Sequence, residues 1–514
     1  MSREYVIHIR DPIHGTLPLN GAELSLVDHP IFQRLRNIKQ LGFADLAFPG
    51  ATHSRYSHSL GAMAVATRIF DRVFQTLSLP ERVHQRFRQA VRLAMLLHDV
   101  GHAPLSHTTE VCMPPVGELG LGLFAGDDVS RLATHEDYTL KIVLDSELAL
   151  SMQSLFAQLG ILPHDVAELI LGSLLPQQST RFRYSGIDYA PVLRQIVSSE
   201  VDADRMDYLQ RDSFYSGVNY GKFDADWLID NVVPVEKDRA IYLGIRARAI
   251  FSFEDFLLSR YHMFASVYLH HTPVIFEKML QRYFEECPGA FTLPSDIGAY
   301  TAIDDLDLWM NLRKSDNVWA RRVVDRKPFF LLDERDLNLA LESNLAVDQV
   351  ALVEELKSAG IDVIATRSKS TLSKYFDASN KNESKIPIYV QDNTGRTSLL
   401  EETTPLYARY DSPATLARIF VEPSQRERAQ KVLQNHLKKR DIPAREQTKT
   451  VQKKTSRRSS LDAYKASASQ SVATDFRALE PRAQTSSQAK KSALGLEDDS
   501  LIRMKAEQND NDKI

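Results

Sequence analysis

Cysteine is nearly missing: Cys112 and Cys287 are the whole supply of a 514-residue chain. Two thiols so far apart build neither a disulfide framework nor a thiolate zinc site. Long apolar runs are missing too. Ala90 to Leu97 is among the longest and is interrupted by Arg92, far short of the roughly 18 to 20 residues that a membrane span needs. The first residues, Met-Ser-Arg-Glu-Tyr, carry no apolar core of a signal peptide. A cytoplasmic, reducing location without membrane association is therefore expected. Any metal must be held by histidine and carboxylate.

Excess charge of one sign is also absent overall, at −4, but it is unevenly spread. From Arg426 to Arg458 twelve Lys/Arg stand against three Asp/Glu, a net of +9, while residues 1–425 carry about −12. Early in the basic run the only large apolar anchors are Val432, Leu433 and Leu437, and aromatics are almost lacking. Base stacking is thus disfavoured. Two readings stay open: a solvated, disordered tail, or a counterion-releasing contact with nucleic acid or another polyanion.

What is present is an ordinary globular composition, 43% hydrophobic and 25% charged, at a length that fits two or three domains. Residues 5–20 alternate and break at Asp11-Pro12, Gly15 and Pro18, which reads as a small hairpin. From Pro30 to about Phe284 the pattern is mostly helical, with Asp28 expected as an N-cap ahead of Pro30. Helices are expected over Ser57–Leu77, Glu81–Asp99, Glu136–Leu148, Pro163–Leu175, Ala190–Tyr208 and Phe253–Cys287, and a loop or lid over Pro114–Gly126. Beyond Pro294 the texture becomes mixed. A helix at Val347–Gly360 followed by Ile361-Asp362-Val363-Ile364, two strand-like stretches at Ile386–Gln391 and Leu406–Arg409, and Arg418–Val421 leading into a helix at Ser424–Leu437 suggest an α+β appendage. Past Lys438 the Ser/Ala/Gln/Lys-rich text cannot bury enough apolar surface to order itself. The expected plan is mainly α: a helical body over 1–300, an α+β region over 301–437 and a tail over 438–514. No internal repeat is visible.

The chemistry sits in Leu96-Leu97-His98-Asp99-Val100-Gly101-His102-Ala103-Pro104. An apolar helix delivers an adjacent imidazole and carboxylate, and burying both is costly unless something satisfies them. A divalent cation does so, and imidazole with carboxylate suits Zn, Mn, Fe, Co or Ni. A capping Asp beside a hydrogen-bonded core His is the plainer alternative for this pair alone. Upstream stands His53-Ser54-Arg55-Tyr56-Ser57-His58-Ser59-Leu60-Gly61. Downstream stands Asp202-Ala203-Asp204-Arg205-Met206-Asp207-Tyr208, then Arg211-Asp212. Asp204, Asp207, Tyr208, Arg211 and Asp212 share one side of a helix. His58, His98, Asp99 and Asp204 together supply two imidazoles and two carboxylates, leaving positions for water and phosphate oxygens.

That order of ligands resembles the HD superfamily. The flanking text, Asp11-Pro12-Ile13-His14-Gly15, Phe32-Gln33-Arg34-Leu35-Arg36, Ile38-Lys39-Gln40-Leu41-Gly42, Phe48-Pro49-Gly50-Ala51 and His58-Ser59-Leu60-Gly61, is similar to the dNTP triphosphohydrolase branch. The likeness covers about residues 5–290, with a weaker echo at Trp319–Leu331. It implies an HD-domain helical core and hydrolysis of a dNTP, as in dGTPase-like proteins, to deoxynucleoside and tripolyphosphate. It also implies a divalent metal (Mn, Fe, Mg, Ni or Zn) and a homo-oligomer, dimer or tetramer.

By position the resemblance makes His58, His98, Asp99 and Asp204 metal ligands, and His102, His107 and His135 catalytic histidines. Glu110, three residues after His107, is placed to hold and charge that imidazole for proton donation to the departing 5′-oxygen. Arg55, Arg205, Tyr208 and Arg260 match triphosphate contacts, since an Arg fork suits phosphate oxygens. Gln40, Asp212 and Tyr268 match residues around the deoxyribose. Departures occur at Ile7, Trp227 and Leu269, so nucleotide activation and base preference stay open. A second metal at the three histidines, an HD phosphodiesterase or nuclease, and a nucleotide-sensing binding protein are the competing readings.

Overall fold

A computed structural model describes residues 7–122, 129–171, 181–336, 342–370, 386–404, 406 and 414–439. The chain divides into two units, Met1–Lys438 and Lys439–Ile514. The tail expected over 438–514, with its expected disorder, lies outside the described residues but for Lys438 and Lys439, and the basic run is described only as far as Lys439. Most of the strand expected at Leu406–Arg409 also lies outside them.

The architecture is mainly helical, with a short N-terminal hairpin and small sheets. Ile7–Asp11 pairs antiparallel with Gly15–Leu19. The turn is made by Asp11, whose Oδ1 accepts the amides of Ile13 and His14, both at 2.9 Å. Gly15 then supplies a φ of +73° that a side chain resists. Pro30 opens a helix as expected, but the cap is His29, not Asp28: its ring accepts the Ile31 amide at 3.3 Å. Asp28 instead closes the preceding helix, Gly21–Val27.

The body is built on the Arg55–Phe74 helix, which packs against the Glu81–Leu97 and Ala203–Ser216 helices. Leu60, Met63, Leu93, Leu96, Met206 and Leu209 fill the space between them and are buried. At Gly61 a β-carbon would overlap the Asp207 carboxylate and the Arg211 guanidinium. The glycine is what lets two charged groups lie against this helix.

Several expected helices are broken by caps. Ala190–Tyr208 is two helices, Ala190–Val197 and Ala203–Ser216, because Asp202 accepts the amides of Ser199 and Arg205, both at 2.8 Å. Phe253–Cys287 divides at a π-helical turn, Phe264–Tyr268, into Ile250–Met263 and His271–Glu286. Glu136–Leu148 ends at Leu144, and Ser146 caps a new helix at Glu147–Leu155. A strand pair, Val232–Lys237 with Ala240–Arg246, interrupts a region expected to be helical. The strand Tyr389–Gln391 joins this sheet, parallel to Ala240–Arg246, not the C-terminal one. The C-terminal sheet is antiparallel, in the order Phe330–Asp336, Ala414–Val421, Val363–Ser370. The Glu342–Ser358 helix packs on it, and residues 426–439 are helical. Among the described residues, no helix is long and apolar enough to cross a membrane.

Candidate metal centre and its surroundings

His58 lies in the first turn of the Arg55–Phe74 helix, and His98 caps the end of Glu81–Leu97. Each has its Nδ1 engaged. His98 Nδ1 donates to the Met95 carbonyl at 2.7 Å, and His58 Nδ1 donates to Asp207 Oδ2 at 2.7 Å. In the neutral rings both lone pairs therefore sit on Nε2, and these two atoms face each other at 3.3 Å. Carboxylates close the ring: Asp204 Oδ1 stands 3.0 Å from His58 Nε2 and 3.5 Å from His98 Nε2. Asp99 oxygens stand 3.4 and 3.5 Å from the same two nitrogens. Converging imidazole nitrogens and carboxylate oxygens suit a cation between them, and this donor set fits a divalent metal. Burial pulls the His58 imidazole down, yet the Asp204 and Asp207 carboxylates outweigh it and hold it up at about 10. The site attracts positive charge. Asp204 is also the ligand that faces solvent, its side chain 34% exposed.

Asp99 links this centre to a second cluster. Its Oδ1 lies 3.1 Å from His102 Nε2, and its Oδ2 accepts Arg55 Nη1 at 2.6 Å. His102 stacks on His135 with ring centres 3.9 Å apart. Glu110 Oε1 accepts both His135 Nδ1 at 2.6 Å and His107 Nδ1 at 3.1 Å, leaving Nε2 of each ring free for chemistry. Burial pushes the Glu110 carboxyl up, but these imidazoles outweigh it and hold it at about 2. Burial, with the Arg55 charge, holds the His102 ring well below the usual histidine range. His107 stands at the mouth, 65% exposed.

A third group lies beyond Asp204. Tyr268 donates to Asp212 Oδ2 at 2.7 Å, and His53 Nε2 meets Asp212 Oδ1 at 2.8 Å. The Gln40 amide donates to the His53 carbonyl at 3.0 Å, while Gln40 Oε1 is buried without a partner. Gln40, Asp212 and Tyr268 are thus joined through His53. Arg205 is tied to Asp202 at 3.0 Å, and Arg260 Nη1 lies 3.7 Å from Glu200. Tyr208 meets Tyr268 edge-on, with ring centres 6.2 Å apart.

Sequence reasoning assigned no role to His14, His53, Asp207, Arg211 or Asp305, all of which brace these clusters. Asp207 stood on the correct helix face and Gly61 marked its landing place. His14, 193 residues away, had no spacing signal. Asp305 accepts the amides of Lys39 at 3.0 Å and Leu105 at 2.7 Å. It clamps a loop in which Leu105 and Ser106 have φ values of 53° and 58°.

The HD domain family model matches residues 55–212, and that of the HD associated region matches 223–338. An uncharacterized protein of Methanocaldococcus jannaschii is 31% identical over 63% of this chain and 58% of its own length. YwfO of Bacillus subtilis, also uncharacterized, is 35% identical over 53% of this chain and 55% of its own. Human deoxynucleoside triphosphate triphosphohydrolase SAMHD1 is 28% identical over 65% of this chain and 53% of its own. The chain therefore spans little more than half the length of these relatives. A hypothetical protein of Aquifex aeolicus, 27% identical, superposes over 83% of this chain and 99% of its own with a TM-score of 0.63. A Bacteroides thetaiotaomicron phosphohydrolase, 21% identical, shares the fold over 81% of this chain and 99% of its own at a TM-score of 0.57. With three segments that bear candidate ligands meeting at one point and family matches at 55–212 and 223–338, the chain carries an HD domain followed by an HD associated region.

Proposed function

We propose that the protein is a metal-dependent dNTP triphosphohydrolase, converting a dNTP and water to deoxynucleoside and tripolyphosphate. One observation carries the reading: the candidate metal ligands and the His102–His107–His135 cluster share Asp99, beside a hydroxyl-binding nest at Asp212 and Tyr268. A divalent ion held by His58, His98, Asp99 and Asp204 would supply Lewis-acid polarisation of phosphate oxygens. His107, with Nδ1 committed to Glu110, keeps Nε2 to give a proton to the departing 5′-oxygen. His102, held neutral, orients beside Asp99. Arg55, Arg205 and Arg260 neutralise the triphosphate, and Tyr208 flanks it. Asp212 and Gln40 take the 3′-hydroxyl, with the Tyr268 ring beneath C2′. Residues 1–300 are then the catalytic body and 301–437 an accessory region, in a cytoplasmic homo-oligomer.

A two-metal phosphodiesterase or nuclease is the second reading, favoured because ligand atoms of His102, His107 and His135 lie within 4.8 Å of one another. Incubating metal-loaded protein with dNTPs, rNTPs, a cyclic dinucleotide and single-stranded DNA, then resolving the products, separates the two. Tripolyphosphate from a dNTP with one metal per chain supports the first. Cleaved DNA or cyclic dinucleotide with two metals per chain replaces it.

A further inference from the structure

The Asp207 carboxylate is fully buried and accepts four hydrogen bonds. Its Oδ1 meets His14 Nε2 at 2.6 Å and Arg211 Nη2 at 2.8 Å. Its Oδ2 meets His58 Nδ1 at 2.7 Å and Arg211 Nε at 2.9 Å. An ionised carboxylate only accepts, so both imidazole nitrogens facing it carry hydrogens. The network closes through the hairpin turn. Asp11 Oδ1 accepts the His14 amide at 2.9 Å, and Asp11 Oδ2 accepts Arg211 Nη1 at 2.8 Å. The His14 side chain is itself only 7% exposed.

We propose that His14 is a positioning residue of the metal site: by holding Asp207 it fixes the ring and tautomer of His58, so the N-terminal hairpin sets metal affinity. This rests on the reading of His58 as a metal ligand. Removing His14 leaves Oδ1 with Arg211 alone. The carboxylate then swings toward the guanidinium, and His58 loses the acceptor that keeps its lone pair on Nε2. Partners of this kind commonly govern metal affinity by about 10- to 100-fold. A hairpin that merely docked on the fold would need the bulk of His14, not its donor.

The test pairs His14→Leu, which keeps volume and loses the donor, with His14→Gln, whose amide reaches as far as Nε2. Mn²⁺ affinity of the stripped full-length chain is measured by equilibrium dialysis, with thermal unfolding recorded alongside. The expected result is roughly 10- to 100-fold weaker Mn²⁺ binding for His14→Leu and near-parental binding for His14→Gln. Addition of Mn²⁺ should also slow amide exchange across residues 7–19 in the parent and not in His14→Leu. Unchanged affinity in His14→Leu, or equal losses in both variants, overturns the proposal. Should His14→Leu not fold, His14→Asn, too short to reach Asp207, takes its place with the same expectation. If that variant is unfolded as well, His14 serves folding and the proposal fails. His58→Ala is the control: intact Mn²⁺ binding there sinks the metal-site reading itself, whereas loss there with His14→Leu unaffected sinks only the hairpin's role.

Discussion

Taking away one ligand should act on metal and chemistry together. His98→Ala or Asp99→Ala is expected to abolish hydrolysis and to lower metal content in the same preparation, because each removes an atom from a converging donor set. Elemental analysis beside a turnover assay checks this, and full activity in both variants would end the metal reading. At the proposed sugar contact, Tyr268→Ala should narrow the preference in kcat/KM for a dNTP over the matching rNTP; equal rates of the parent on ATP and dATP would remove the proposed sugar gate. Glu110 offers a pH prediction. Its carboxyl titrates at about 2 in the fold against an ordinary 4.5, so its stabilisation is complete above about 4.5 and is lost as pH falls toward 2. The Tm gap between parent and Glu110→Gln should therefore shrink as pH falls below 4.5. A gap that widens with acid contradicts the assignment. At this scale the His-Asp text and the acidic helix face were legible in sequence. Their braces were not, since hydrogen bonds from His14 to Asp207 or from His53 to Asp212 join residues 193 and 159 apart.

At the scale of elements, periodicity located the helices and missed their interruptions. Asp202 illustrates why: the same carboxylate that reads as part of an acidic face ends one helix and starts the next. The π-helical turn at Phe264–Tyr268 likewise leaves no trace in the apolar pattern, yet it precedes the helix break that sets Tyr268 against Asp212. The loop from Leu105 to Ser106 is strained backbone held by tertiary contacts, chiefly Asp305 and the bond from Ser106 Oγ to the Lys39 carbonyl at 2.8 Å. Asp305→Ala strips the buried Leu105 amide and the part-buried Lys39 amide of their acceptor and should cost about 1–3 kcal/mol for the buried one. It should also lower kcat by displacing His107. Denaturant unfolding and steady-state kinetics read both. An unfolding midpoint equal to the parent's would show the clamp to be idle.

At the scale of the whole molecule, the small sheets were partly misassigned. Short strands such as Tyr389–Gln391 pair with partners more than 140 residues away, and local alternation cannot name a distant partner. Deleting 438–514 should leave dNTP turnover within a few-fold, since no candidate ligand or phosphate contact lies there. The same deletion should weaken any nucleic-acid binding and flatten its salt dependence. Loss of dNTP hydrolysis in a folded truncation would assign the tail to the active assembly.

The Asp305 clamp has a consequence for how variants of this protein are interpreted. Asp305 stands 200 positions from Leu105 and 266 from Lys39, well past the last ligand-bearing helix. A genetic survey that weighs substitutions by proximity to the His-Asp text would file changes there as peripheral. In space they strike the Leu105–Ser106 backbone that leads directly into His107. Tolerance to mutation should accordingly follow the hydrogen-bond map, with sensitive islands near residues 14 and 305 separated from the ligand segments by stretches that accept drift.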